Sequence, residues 1–215
     1  MSISDHRLHY AATSRNREAI FRVLQRVLRS LNLEQLRILE IASGSGEHAT
    51  FLAPKLAQSC PGLTWQPSDI DAKCIASIDA WRSSLPSDRQ NCMLPAIPLD
   101  VREQPWPWPN AAYDMLININ MIHISPWQCC QDLMREAGRI VSSQGMLFLY
   151  GPFMRNGKHT SASNAAFSEQ LRQQDHRWGV RNLEDVVDLA RQAQFECSEV
   201  VEMPANNLSV VFVHR

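Results

Sequence analysis

Strand-like and helix-like stretches alternate along most of this chain, and the alternation stops near its end. Short apolar and β-branched runs at 37–42, 63–67, 94–99, 113–119 and 145–150 are separated mostly by stretches with helical spacing. Such an order predicts a mostly parallel sheet with helices on both faces. The last two runs, FECSEVVEM (195–203) and NLSVVFVHR (207–215), are joined only by Pro204, Ala205 and Asn206. That is room for a turn and no crossover helix, so they should form an antiparallel hairpin. In MLPAIPLD (93–100), Pro95 and Pro98 cannot donate to a ladder, which puts this strand at a sheet edge. A dinucleotide-binding fold would more often continue with parallel strands.

The chain has 215 residues, 45% of them hydrophobic, enough for one domain with a large core over 1–215. No repeat or low-complexity linker divides it. The formal net charge of −1 gives no field that would draw it to nucleic acid or an anionic membrane. No apolar run is long enough to span a bilayer, and residues 1–15 lack the apolar stretch of a signal peptide. The six cysteines contain no C-x-x-C pair, which reads as reduced thiols in a cytoplasmic protein and no metal site. A first helix is expected over Arg17–Leu31, with Asn16 as N-cap and Arg22, Arg26 and Arg29 on a solvated face. Oligomeric state is not legible in these patterns.

The stretch LEIASGSGEHA (39–49) carries the first chemical signal. Glu40 ends the first strand, and Gly44 and Gly46 form a turn where a missing Cβ lets the backbone approach a ligand. A phosphate loop would follow its last glycine with Lys and Ser or Thr; Glu47 and His48 stand there instead. An acidic residue at that helix start opposes a pyrophosphate. A nucleoside cofactor with a cationic amino-acid end, a sulfonium nucleoside, suits the loop better. Asp69 or Asp71 in WQPSDIDAK (65–73) falls at the end of the second strand, where a carboxylate can accept ribose hydroxyls. Asp100 ends the third strand, placed to accept from an adenine amino group. Asn118, Asn120 and His123 gather at the exit of the fourth. Ligands of open α/β sheets bind beyond these carboxyl ends.

These residues resemble the class I S-adenosylmethionine-dependent methyltransferases, whose first motif ILEIASGSGEHA matches, with Ala42 where the class usually has a glycine. More closely, the chain resembles the methyltransferase-like protein 26 family, also grouped as a domain of unknown function. That resemblance rests on SRNREAI (14–20), LEIASGSGEHA (39–49), WQPSD (65–69), NMIHISPW (120–127), LYGPF (149–153), SNAAF (163–167), WGVRNLEDV (178–186) and MPANNL (203–208). It implies a Rossmann-like methyltransferase sandwich with a seven-stranded sheet of order 3-2-1-4-5-7-6. It also implies S-adenosylmethionine as cofactor and S-adenosylhomocysteine as product. The cofactor set is read as Glu40, Ala42, Ser43, Gly44, Gly46, His48 and Asp69, with Asp100, Val101, Asn118 and Asn120 beyond them. Arg15 and Asn16 are expected to join it from an N-terminal lid and helix at 1–32, with Tyr10 also turned inward.

The acceptor reads as a small molecule, since the chain has no basic face and no added nucleic-acid module. Transfer is an in-line displacement in which positioning supplies much of the rate, and a base is needed only for a protonated acceptor. Candidate catalytic residues are His123, Asn120 and Tyr150, with Asp175 a further candidate base. For His123, a packed histidine satisfied by the backbone is the competing reading. The segment 151–182 reads as a substrate-side insertion, offering Asn156, Ser163, Asn164 and Arg172, with the cap of a helix near Asn164 as the competing reading for Ser163. WPWP (106–109) reads as loop packing. Two rivals stand beside the methyltransferase: a non-catalytic scaffold that binds the same cofactor, and a NAD-dependent oxidoreductase.

Overall fold

The computed structural model describes residues 6–29, 31 and 34–215. Residues 1–5, 30 and 32 of the expected lid and helix, and residues 1–5 of the stretch read for a signal peptide, lie outside the described residues. The chain gathers into two compact units, Met1–Asp100 and Val101–Arg215.

The first unit begins with α1 (Ala11–Arg29), six residues earlier than the apolar periodicity indicates. Thr13 and Asn16 are buried on it with Ile20, Val23, Leu24 and Val27, so the inward stripe opens in polar letters. Asn16 is therefore inside the helix and not its cap. Then follow β1 (Gln35–Ile41), α2 (Glu47–Ala57), β2 (Gly62–Asp69), α3 (Ala72–Ser83), α4 (Ser87–Gln90) and β3 (Ile97–Pro98). The strands are parallel in the order β3-β2-β1. The edge strand expected over 94–99 shrinks to two residues because its prolines interrupt the ladder. The amides of Leu94 and Leu99 still reach β2 carbonyls, while that of Ala96 goes to the Asp79 carboxylate. Leu39, Leu52, Trp65 and Ile78 are fully buried in this unit.

The second unit contains β4 (Tyr113–Ile119), a single 3-10 turn (Met121–His123), α5 (Trp127–Ile140) and β5 (Val141–Arg155). After them come β6 (Lys158–His159), α6 (Ala162–Gln174), β7 (Arg181–Asn182), α7 (Leu183–Gln192), β8 (Phe195–Met203) and β9 (Asn207–His214). β4 and β5 are parallel, β9 and β8 follow as the expected antiparallel hairpin, and the order is β4-β5-β9-β8. Each unit thus carries its share of the expected order.

The number of strands differs from expectation: the described residues form nine, not seven. β5 continues to Arg155 because β9 pairs with it as far as Pro152 and β7 pairs with Phe153 and Met154. The start of the expected insertion is therefore strand. The cap of α6 is also shifted: Ser161, not Ser163, accepts from the Asn164 amide. All six cysteines are free. Trp106 is buried, its indole N–H donates to the Val101 carbonyl, and Arg139 holds the carbonyls of Trp106 and Trp108. WPWP is a packed loop. Among the described residues no helix is long and apolar enough to cross a membrane, and no three His, Cys, Asp or Glu side chains form a metal-binding group.

Candidate functional site

In the first unit the chain leaves β1 through three left-handed residues, Ala42 (φ 56°), Gly44 (φ 59°) and Gly46 (φ 87°). Ala42 adopts the conformation for which glycine is favoured, so the sequence departure leaves the turn intact. At Gly46 a Cβ would lie 2.7 Å from the Ile78 backbone, so only glycine fits. The turn is fastened to the end of β2. The Ser43 amide donates to the Ser68 carbonyl at 2.8 Å, and the Gly44 amide to Asp69 Oδ2 at 2.9 Å. Asp69 Oδ1 accepts from the Asp71 amide at 3.0 Å. Asp71 itself caps α3 by accepting from the Lys73 amide, which singles out Asp69 as the carboxylate at the loop. A carboxylate offers about four lone-pair sites, so two further hydroxyl donors remain within its capacity.

Glu40 is 1% exposed, and its Oε2 accepts from the Trp65 indole N–H at 3.0 Å. Burial pushes its carboxyl up to about 7, against the hydrogen bonds from Trp65 and Ser43 that favour the charged form. Glu40 thus braces the loop from below. His48 Nε2 donates to Asn16 Oδ1 at 2.8 Å, and burial holds this imidazole down at about 4. Asn16 and His48 tie α1 to α2 and are brought together, while Arg15 is exposed. Asp100 is half-buried at the end of this unit.

Beside the loop lie Tyr10, expected from the sequence to turn inward, and Glu47, whose bond to it the sequence did not reveal. Glu47 accepts from the Tyr10 amide at 2.7 Å and from the Ser45 hydroxyl at 2.9 Å. The Tyr10 ring lies against Gly44, 3.4 Å from where a Cβ would stand. The partners are 37 and 34 positions apart in sequence, and no local spacing signals the pairing.

In the second unit Asn118 is buried in β4, and Asn120, at φ 68°, turns the chain out of it. The Asn120 amide donates to the Tyr150 carbonyl, and the His123 amide to the Asn120 carbonyl. Tyr150 is buried, and Val101 is buried at the start of the unit. His123 is fully buried, its ring edge-on to Phe153 and beside Gly151, where a Cβ would lie 2.5 Å from Nε2 and 3.1 Å from Asn120 Oδ1. Its Nδ1 faces the Arg181 amide at 3.4 Å, which leaves the ring proton on Nε2, an atom with no protein partner among the described residues. Burial and the Arg181 charge push this imidazole down to about 3. Of the other candidates, Asp175 is held well below the usual carboxylate range by hydrogen bonds from Arg177. Asn164 donates to Thr160 and to the Asn206 carbonyl, a structural tie, while Asn156 and Arg172 are exposed.

Residues 7–214 match the model of a family described as protein of unknown function DUF938, and the chain belongs to that family. Its backbone resembles those of solved methyltransferases. A protein from Galdieria sulphuraria, provisionally named a sarcosine dimethylglycine methyltransferase, is 14% identical with a TM-score of 0.69, over 97% of this chain and 92% of that one. An O-methyltransferase family protein from Burkholderia thailandensis is 15% identical with a TM-score of 0.68, over 93% of this chain and 59% of that one. Human N-acetylserotonin methyltransferase, solved with S-adenosylmethionine, is 15% identical with a TM-score of 0.65, over 92% of this chain and 55% of that one. The chain spans little more than half the length of the latter two. The fold is the mixed α/β, Rossmann-like fold of the methyltransferases, with a mostly parallel central sheet.

Proposed function

We propose that this chain is an S-adenosylmethionine-dependent methyltransferase acting on a small molecule, and that it is related to the methyltransferase-like protein 26 family. The observation that carries the reading is the tie between the left-handed glycine loop and Asp69: the amide of Gly44, a residue without a Cβ, donates to a carboxylate with lone pairs to spare. The residues fit such a cofactor. Asp69 would accept from the ribose hydroxyls, Ser43 and Gly44 would line the loop, and Ala42 and Gly46 would shape it. Glu40 would brace it, and Asp100 would serve the adenine end. Arg15 would meet the carboxylate, and the Asn16–His48 pair would fix the helices behind the loop. When bound, the cofactor supplies an electrophilic methyl group on a sulfonium.

On the acceptor side, Asn120, Tyr150 and His123 would orient the substrate. His123 acts there as a neutral donor through Nε2 and not as the base, because a buried imidazole beside Arg181 resists protonation. The small-molecule reading is supported by the net charge of −1 and by the names of the structural neighbours. A cytoplasmic setting agrees with six free thiols.

Calorimetric titration with S-adenosylhomocysteine, with NAD as control, tests the reading. Micromolar binding of the first and none of the second is expected, and Asp69→Ala should weaken it by about tenfold or more. NAD binding alone, or no heat from folded protein with either ligand, overturns it. A protein that binds the product yet forms none from S-adenosylmethionine across acceptor pools would be the scaffold instead.

A further inference from the structure

The first unit carries a segment that the proposed chemistry has not used. Residues 6–10 form no regular element, yet they are fixed at both ends of a short span. The Leu8 amide donates to Ser77 Oγ at 2.8 Å, and the Leu8 carbonyl accepts from the Trp81 indole at 3.0 Å. Ser77 Oγ in turn donates to the Ser45 carbonyl of the glycine loop at 2.7 Å, so this end of the strap is bonded to the loop itself. Arg7 lies over the Trp81 ring and His9 meets it edge-on. At the other end the Tyr10 amide donates to Glu47, with His9 Nδ1 3.5 Å from the same carboxylate.

Tyr10 is what this strap presents. It is 48% exposed although aromatic, lies against the Gly44 backbone, and has its hydroxyl near Cys74 with Asp69 and Asp71 close by. An exposed ring beside the carboxylate proposed to hold a ribose is placed to cover an apolar, planar ligand, and burying such a ring is a substantial source of binding energy. Glu47 then has a different task from repelling phosphate. Its carboxylate is bonded to the strap and to Ser45, so it joins cover to loop.

We propose that residues 6–10 form a latched cover over the nucleoside site, with Tyr10 the cofactor-positioning residue and Glu47 the latch. This rests on the nucleoside reading of the loop. The latch is one charged hydrogen bond beside a histidine, and breaking it frees Tyr10 while the Leu8 bonds to Ser77 and Trp81 stay in place. The cover therefore sets how fast a nucleoside leaves more than how fast the unit folds.

Stopped-flow tryptophan fluorescence with S-adenosylhomocysteine tests this, since Trp81 is bonded to the strap; Trp81→Phe identifies its part of the signal. Tyr10→Ala should speed ligand dissociation by about tenfold or more, while Tyr10→Phe, which keeps the ring, stays within about threefold of the wild type. Glu47→Gln should speed both entry and release, with a smaller change in Kd. Wild-type dissociation rates in Tyr10→Ala and Glu47→Gln, with the ligand still binding, would overturn the cover and leave the nucleoside site standing. A wild-type protein that binds no S-adenosylhomocysteine would overturn the nucleoside reading and the cover with it.

Discussion

At the scale of single residues, position in the fold decides what a side chain can do. Histidine in LININMIHI suggested a base; full burial, the Arg181 charge and an amide at Nδ1 favour a neutral imidazole with its proton on Nε2. Two-dimensional 15N–1H NMR of the imidazoles should show His123 neutral, with its proton on Nε2, from pH 5 to 8. A midpoint near 6.5 would return it to the role of base. Other residue-scale readings were legible because they depend on local geometry. Gly44 and Gly46 were read as a turn, and both are left-handed. The choice between Asp69 and Asp71 was not legible, since it depends on which of the two caps α3. The bond from Glu47 to the Tyr10 amide was not legible, because Tyr10 comes from a segment with no periodicity of its own.

At the scale of elements, what the sequence showed was apolar periodicity, and what it hid was polar burial. The start of α1 was placed too late because Thr13 and Asn16 face inward as polar residues. β5 was cut short at Tyr150 because Gly151 and Pro152 resemble a loop, although β9 pairs with both of them and β6 and β7 pair beyond them. β8 shows the opposite case: glutamates 196, 199 and 202 along an exposed edge fit a strand whose free side must resist further pairing. The cap of α6 gives a sharp check. Ser161 Oγ accepts from the Asn164 amide, whereas Ser163 lies within the helix and its hydroxyl meets the hydroxyl of Ser161 and the side-chain amide of Asn206. Ser161→Ala should cost about 1 kcal/mol in urea unfolding, and Ser163→Ala less than about half of that. Equal losses would mean that the cap has been misplaced.

At the scale of the whole molecule, three buried titratable groups govern how stability follows pH. Glu40 keeps its proton in the folded state up to about 7 but releases it near 4.5 when unfolded. Its contribution is complete below 4.5 and is lost as pH rises through 7. His48 and His123 behave in the opposite sense. Folded, they stay neutral down to about 4 and about 3, whereas unfolded they protonate near 6.5. Their contribution is complete above 6.5 and is lost as pH falls. Between 4.5 and 6.5 two histidines outweigh one carboxyl, so stability climbs with pH; above 6.5 only Glu40 still acts, and it falls. The maximum should lie near pH 6.5. At about 1.4 kcal/mol per pH unit, Glu40→Gln isolates the alkaline arm: the advantage of wild type over the variant should shrink by about 2 to 3 kcal/mol between pH 5 and 8. Urea unfolding at intervals across that range measures it. Parallel curves for the two proteins would mean that Glu40 is ionised beneath the glycine loop throughout, and that the loop is built over a charge.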